Sequence, residues 1–278
     1  MNTVTTKNPI NAALLLATFE LKKILFSRRG IVALAAFSLV WFVLLWYPIR
    51  QASFYLFSPD LKHLLTGMFG EDSVKELFSW KVAEMAIMWV AALYLFPLFS
   101  LFVCADQFAS DKTRGTFRFL TLRTSRDTLF FGRVTGYLLI QALLLGFTLL
   151  ATLLLVGYRD TSLIWVALAS STFIFINIMI VILPFTALMA LLSLHANSAR
   201  QATIYATLFL VGTSIINGLI SHYLPAIGET LNWLIPGAQL SIMINSHGFN
   251  NLGITVVPLV QAAILLLLGR TYMARIAL

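Results

Sequence analysis

Chemistry in this chain would have to come from its histidines, its one cysteine or its few carboxylates, and none of these is spaced for it. His63, His195, His222 and His247 are scattered over 278 residues, with no His-Glu-x-x-His and no cysteine alongside to complete a metal-ligand set. Cys104 stands alone and forms no internal disulfide. Ser170, Ser171 and Thr172 lie in an apolar run, where small hydroxyl residues suit helix packing better than nucleophilic attack. A Gly-x-x-x-x-Gly-Lys-Ser/Thr phosphate loop is missing, and no glycine precedes a lysine. The expectation is a chain with no catalytic residue, no metal and no cofactor of its own.

One stretch is dense in charge and aromatic residues. Residues 106–133 carry Lys112, Arg114, Arg118, Arg123, Arg126 and Arg133. Gly115 should stop any helix arriving from the apolar block before it. Phe117, Phe119, Leu120 and Leu122 then offer apolar contacts on a short helical segment. Thr124-x-x-Asp127, ahead of Leu129, Phe130 and Phe131, reads as a capping box that opens the next helix. Two roles fit such a loop. It can be a solvated basic stretch that fixes topology, or a helix that docks into a groove of another protein.

The elements around it are membrane spans. Of the 278 residues 59% are apolar and only 11% charged, against about 25% charged in soluble domains. The apolar residues fall in blocks long enough to cross about 30 Å of hydrocarbon as helix, and strand-like alternation is absent. The expected class is all-α and polytopic, a single transmembrane domain over 1–278. Its six spans are placed at 31–48, 82–105, 134–157, 163–194, 202–221 and 254–269. The fourth exceeds what a bilayer needs, so Pro184 should kink it or its end should project into water. Glu84 falls near an interface, where pairing or hydration is expected. Gln141, Asn177, Asn217 and Gln261 are the polar groups inside spans, able to join helices or to touch a cargo.

With the N-terminus inside, fourteen of the nineteen Lys and Arg residues fall on the cytoplasmic side. The outside keeps Arg50, Lys62, Lys75, Lys81 and Arg159. Both termini are therefore cytoplasmic. The net charge of +8 follows from this topology and from contact with anionic lipid, and calls for no nucleic acid. Residues 8–29 form an amphipathic interface helix, with Asn8 as cap, Pro9 in the first turn and Ile10, Leu14, Ala17, Leu21, Ile24 and Leu25 as its apolar stripe. It lacks the small-residue cleavage site of a signal peptide. A surface helix is expected to begin at Ser58-Pro59-Asp60. The stretch 222–253 is too broken by Pro225, Pro236 and glycines to span and too apolar for water, so a re-entrant or outer-leaflet hairpin is expected.

The loop resembles the signature of the ABC-2 type permease family at Asp111, Gly115, Thr116, Leu120, Ser125, Arg126, Gly132 and Arg133. The likeness extends along the chain, through the interface helix, six spans and a broken hairpin before the sixth. It implies a dimer of permeases, a second copy or a paralogue, in a bacterial or archaeal cytoplasmic membrane. It also implies separate cytoplasmic ABC ATPase subunits that hold ATP and Mg. The implied ATPase-docking residues are Asp111, Arg114, Gly115, Thr116, Phe117, Arg118, Phe119, Leu120, Ser125 and Arg126, with Phe117, Phe119 and Leu120 as anchors. Spans two and five, the latter carrying Gly212 and Asn217, are the expected pairing face. Gln141, Asn177 and Asn217 are candidates for the path of an amphiphilic or hydrophobic cargo. Two other classes fit less well. An ion-driven secondary transporter needs ionisable groups deep in the spans, and a lipid-modifying membrane enzyme needs clustered His, Asp or Glu.

The charge distribution makes a direct topological prediction. A cysteine at position 114 (Arg114→Cys) should react with impermeant maleimide only from the cytoplasmic side, and one at position 245 (Asn245→Cys) only from outside. Labelling of position 114 from outside would refute the orientation.

Overall fold

The computed structural model describes residues 9–51, 66–67, 79–122, 124–244 and 252–275. The proposed helix start at 58–60 and the Asn8 cap lie outside them. Among the described residues every regular element is a helix, and six helices are long and apolar enough to cross a membrane. The first described elements are α1 (Pro9–Phe26) and α2 (Arg28–Leu44), and α2 continues directly into a π-helical turn, Leu45–Ile49, that contains Pro48. α3 (Ala83–Val103) runs into a 3₁₀ turn and is followed by the short α4 (Ala109–Thr113) and α5 (Thr116–Thr121). Two long helices come next, α6 (Arg126–Arg159) and α7 (Ile164–His195). A pair of short helices, the hairpin α9 (Pro225–Asn232) and α10 (Leu240–Ile244), separates α8 (Ala199–Tyr223) from α11 (Leu252–Arg275).

α7 is the central post. It packs against α3, α6, α8 and α11, and 67% of its most apolar stretch is buried, against 11% for α8. α8 therefore hangs on the bundle by one edge. Pro184 does not interrupt α7, which stays helical for 32 residues. At 1.5 Å per residue that is about 48 Å, so its ends emerge from the hydrocarbon. α6 is longer still, and the reason is local. Ser125 accepts a hydrogen bond from the Thr128 amide at 3.1 Å and starts the helix at Arg126, well before its apolar part. Thr124, expected as the cap, instead donates to the Leu120 carbonyl at 3.0 Å. Asp127 does not reach back to a capping residue, because Arg270 holds it.

Polar residues join the spans where water is absent. Gln141 on α6 is fully buried, its Nε2 3.1 Å from Thr186 Oγ1 on α7 and 3.4 Å from Cys104 Sγ at the end of α3. Thr186 also meets Ser100 of α3 at 3.0 Å. This cluster ties three helices at one level. Near the opposite end Glu84 is paired with Arg159, Nε to Oε1 at 3.1 Å, linking the start of α3 to the end of α6. Asp160, in the turn beyond, accepts from the hydroxyl and the amide of Ser162, and those hydrogen bonds hold its carboxyl below the usual carboxylate range. The α9–α10 hairpin is pinned by side-chain amides. Gln261 donates to the Trp233 carbonyl at 2.7 Å, and Asn217 donates to Asn232 Oδ1 at 2.6 Å.

α1 does more than rest at the interface. It packs along the first turns of α6, and two glycines permit the approach. A methyl group on Gly132 would come within 2.9 Å of a Leu16 methyl, and one on Gly136 within 3.1 Å of the Ala17 carbonyl and the Glu20 Cβ. Small residues at such a seam let backbones close in. Ala17 lies in this contact and Leu21 and Ile24 pack against the main core, while Leu14, Leu15, Phe19 and Phe26 stay exposed, a face suited to headgroups. Replacing Gly136 with Leu should lever α1 away, at a cost of about 1–3 kcal/mol for the overpacking. A disulfide between cysteines introduced at Ala13 and Gly132 tests the contact. It should form readily in the wild-type background and poorly with G136L.

Candidate coupling site

The described residues of 106–133 fold against one end of the helix bundle, and a buried guanidinium organises them. Arg133 lies on the first turns of α6 and is almost completely enclosed. Its Nη1 donates to the Gln107 carbonyl at 2.7 Å. Nη2 bonds the Asp111 carboxylate of α4, and Nε faces Glu20 Oε1 of α1 at 3.4 Å. The Phe108 and Phe117 rings lie 5.3 and 5.6 Å from the guanidinium carbon. Lys23 adds a second cation, 3.3 Å from Glu20 and 4.0 Å from Asp111. One cation thus gathers α1, α4 and α6 at a single point. Burial makes the balance strict, since an ion pair out of water is stable only while every partner is present.

The surrounding segment is fastened to the ends of the other helices. Lys112 Nζ donates to the Leu194 and His195 carbonyls, the last of α7, at 3.0 and 3.2 Å. Thr113 Oγ1 donates to the Asn197 carbonyl at 2.6 Å, in the link between α7 and α8. Arg126 reaches the Met273 and Ala274 carbonyls at the end of α11, at 3.0 and 2.9 Å. Arg270 of α11 closes a two-pronged pair with Asp127. Cations on the free carbonyls of helix C-termini match the negative end of the helix dipole.

Between α4 and α5 the backbone turns at Gly115, whose φ is +68°, a conformation that glycine adopts without a Cβ penalty. Thr116 Oγ1 then donates to the Asp111 carbonyl at 3.0 Å and lies 3.1 Å from its carboxylate. Asp111 and Thr116 are thereby joined across the glycine.

Of the residues read as docking contacts, several are engaged inside the chain. Asp111 is held by Arg133, Ser125 by the Thr128 amide, and Arg126 by the end of α11. Phe117 is only 4% exposed and packs with Phe108, Leu129, Phe130, Leu194 and Met273, so it is not a surface anchor. Leu120 is partly covered by the same cluster. Phe119 and Leu122 face outward, 72% and 84% exposed, and Arg114 is exposed as well. The side chain of Arg118, and the whole of Arg123, lie outside the described residues. Among the cargo candidates, Gln141 is locked in its three-helix cluster and Asn177 donates to the Phe173 carbonyl of its own helix at 2.9 Å. Asn217 lines a cavity of about 560 Å³ with Tyr94, Phe185, Asn232 and Pro236. Glu20 went unread at the sequence level, although a lone acid in line with Ala17 and Leu21 on the packed side of α1 was a usable signal.

The comparison with protein families fits this architecture. The sequence model described as "ABC-2 family transporter protein" matches residues 14–269, nearly the whole chain. The chain belongs to the ABC-2 family. Comparison with curated proteins gave no match. As an ABC-2 protein it is a membrane transporter permease, and the helical class and six spans expected from composition are present. The match runs from the interface helix through most of α11, so it embraces both carboxylate partners of Arg133 and the guanidinium itself.

Replacing Arg133 with Met would leave Glu20 and Asp111 buried against Lys23 alone. Loss of one partner from such a site costs about 3–5 kcal/mol. The detergent-solubilised R133M protein should therefore unfold at clearly lower temperature, and adding Glu20→Gln should recover part of the loss. Equal melting of R133M and wild type would show that the pairing carries no stability.

Proposed function

We propose that this ABC-2 chain is the membrane half of an ATP-driven transporter in a bacterial or archaeal cytoplasmic membrane, with both termini inside. Separate cytoplasmic ATPase subunits bind ATP and Mg and dock on α5. The observation that carries the reading is the two-sided character of that segment. One side of the loop is fixed to α1, α6, α7 and α11 through Arg133, Lys112 and Arg126, while Phe119 and Leu122 stand bare on the other. Apolar side chains exposed among basic residues at the cytoplasmic end suit a partner groove, where buried anchors dominate binding. A push on α5 reaches the helix ends through short polar contacts.

The bare face of α8 supports pairing with a second permease, a copy or a paralogue, across α3 and α8. The 560 Å³ cavity opens between these two helices and the outer hairpin. Its walls are mostly apolar, with the Asn217 and Asn232 amides among them. That chemistry suits an amphiphilic cargo, exported or gated mechanically.

Replacing Phe119 and Leu122 together with Ser should leave insertion and melting unchanged but lower ATPase co-purification and stimulated hydrolysis at least tenfold. Phe117→Ser should instead lower the melting temperature, because losing the core aromatic costs about 3 kcal/mol or more of stability. Wild-type ATPase coupling in the Phe119/Leu122 variant would remove the main support for docking at this face.

A further inference from the structure

α1 and α2 meet at an elbow of one residue, Ser27. Its hydroxyl accepts from the Gly30 amide at 3.0 Å, and a methyl group on Gly30 would sit 1.7 Å from the Ile24 carbonyl oxygen. The fold is that tight. Inside the bend lies a cavity of about 410 Å³. Its polar mouth carries Lys23, Ser27, Arg28 and Arg114, together with Asp106 and Asp111. Its inner wall is apolar, built from Ala33, Leu34, Phe99, Phe102 and Val103. From there the surface continues along α2 and α3 over Val32 and Phe102, which are exposed on the spans themselves.

The charges at the mouth are not all available. Asp111 is already bonded to Arg133 and Lys23, and Asp106 accepts from the Ser110 amide at 3.2 Å and from its hydroxyl. Lys23 is shared between Glu20 and Asp111. Arg28 and Arg114 make no ion pair among the described residues. Two free guanidiniums thus stand over an apolar slot at the depth where the spans meet the cytoplasmic headgroups. Guanidinium is suited to forked hydrogen bonding with phosphate oxygens, and the inner leaflet supplies anionic lipid at that depth.

We propose that this elbow cavity binds one anionic glycerophospholipid of the inner leaflet. Its phosphate sits between Arg28 and Arg114 beside the Ser27 hydroxyl, and its first acyl carbons lie along Leu34, Phe99 and Phe102. The bound lipid would brace α1 against α3 and the coupling segment. The site depends on the membrane topology and not on ATPase docking, so it can hold or fail separately from that reading.

The test is native mass spectrometry of the purified full-length chain, with its ATPase where that co-purifies, after exchange into equimolar phosphatidylglycerol and phosphatidylcholine. Wild type should retain one phosphatidylglycerol per chain in preference to phosphatidylcholine. Arg28→Gln should lower that occupancy about tenfold, and Ala33→Trp, which fills the slot without touching a charge, should abolish it. Arg200→Gln, removing an exposed charge at the same membrane side on α8, should have no effect. Equal retention of the two lipids by wild type would overturn the proposal, as would equal losses in the Arg28 and Arg200 variants. Displacement of the bound lipid by millimolar inorganic phosphate would also overturn it, because the apolar slot would then contribute nothing. The wild-type preference is a test in itself, so failure of a variant to fold leaves the proposal open to refutation.

Discussion

One end of this permease's helix bundle depends on a single buried cation. Arg133 projects from the first turns of α6 into a space walled by Phe108 and Phe117, and its charge is met by Glu20 from α1 and Asp111 from α4. Removing a guanidinium from water is expensive unless its charge is compensated, and here the Gln107 carbonyl and Asp111 accept hydrogen bonds from Nη1 and Nη2 while Glu20 pairs with the charge on the Nε side. Each of those groups is thereby fixed in turn. The interface helix is held at Glu20, the loop at Asp111, and the end of the third helix's extension at Gln107. The glycines at 132 and 136 belong to the same device, because only without side chains there can α1 come close enough for Glu20 to reach.

From that centre the connections run outward through helix ends and not through apolar packing alone. Lys112 sits on the last carbonyls of α7 and Arg126 on those of α11. The basic loop thus also terminates two spans. Deeper in the bundle the same sparing use of polar groups recurs, with Gln141, Thr186, Ser100 and Cys104 bonding three helices where lipid offers no alternative partner. α7 holds the middle of this arrangement and α8 is nearly bare, so the bundle has a strong side and an open one.

Much of this was legible in the sequence, and the failures have a common cause. Apolar blocks and the placement of Lys and Arg located six helices, since hydrocarbon thickness sets their length. The cargo-or-glue question at Gln141 could not be settled from its position, because the answer depends on Thr186 and Cys104, far away in sequence. Phe117 and Phe119 look alike in a basic stretch. Their opposite fates come from the turn at Gly115, which aims one ring at Phe108 and leaves the other in water. The sequence pattern points to Thr124 as the cap, but the amide of Thr128 bonds to Ser125, so the serine one residue on takes that role. A local pattern flags Glu20, but its partner Arg133 lies more than a hundred positions away, and nothing near either residue names the other.

The one-residue elbow between α1 and α2 limits how this chain can vary in length. Each residue added to a helix turns the rest of that helix by about 100°. An insertion within α1 between Glu20 and Ser27 would rotate Ala17 and Glu20 off α6 while the elbow stayed in place. One at Ser27 itself would open the bend that Gly30 closes. Insertions and deletions among relatives should therefore spare the interval from Glu20 to Gly30, which behaves as a measured spacer between the buried charge and the first span.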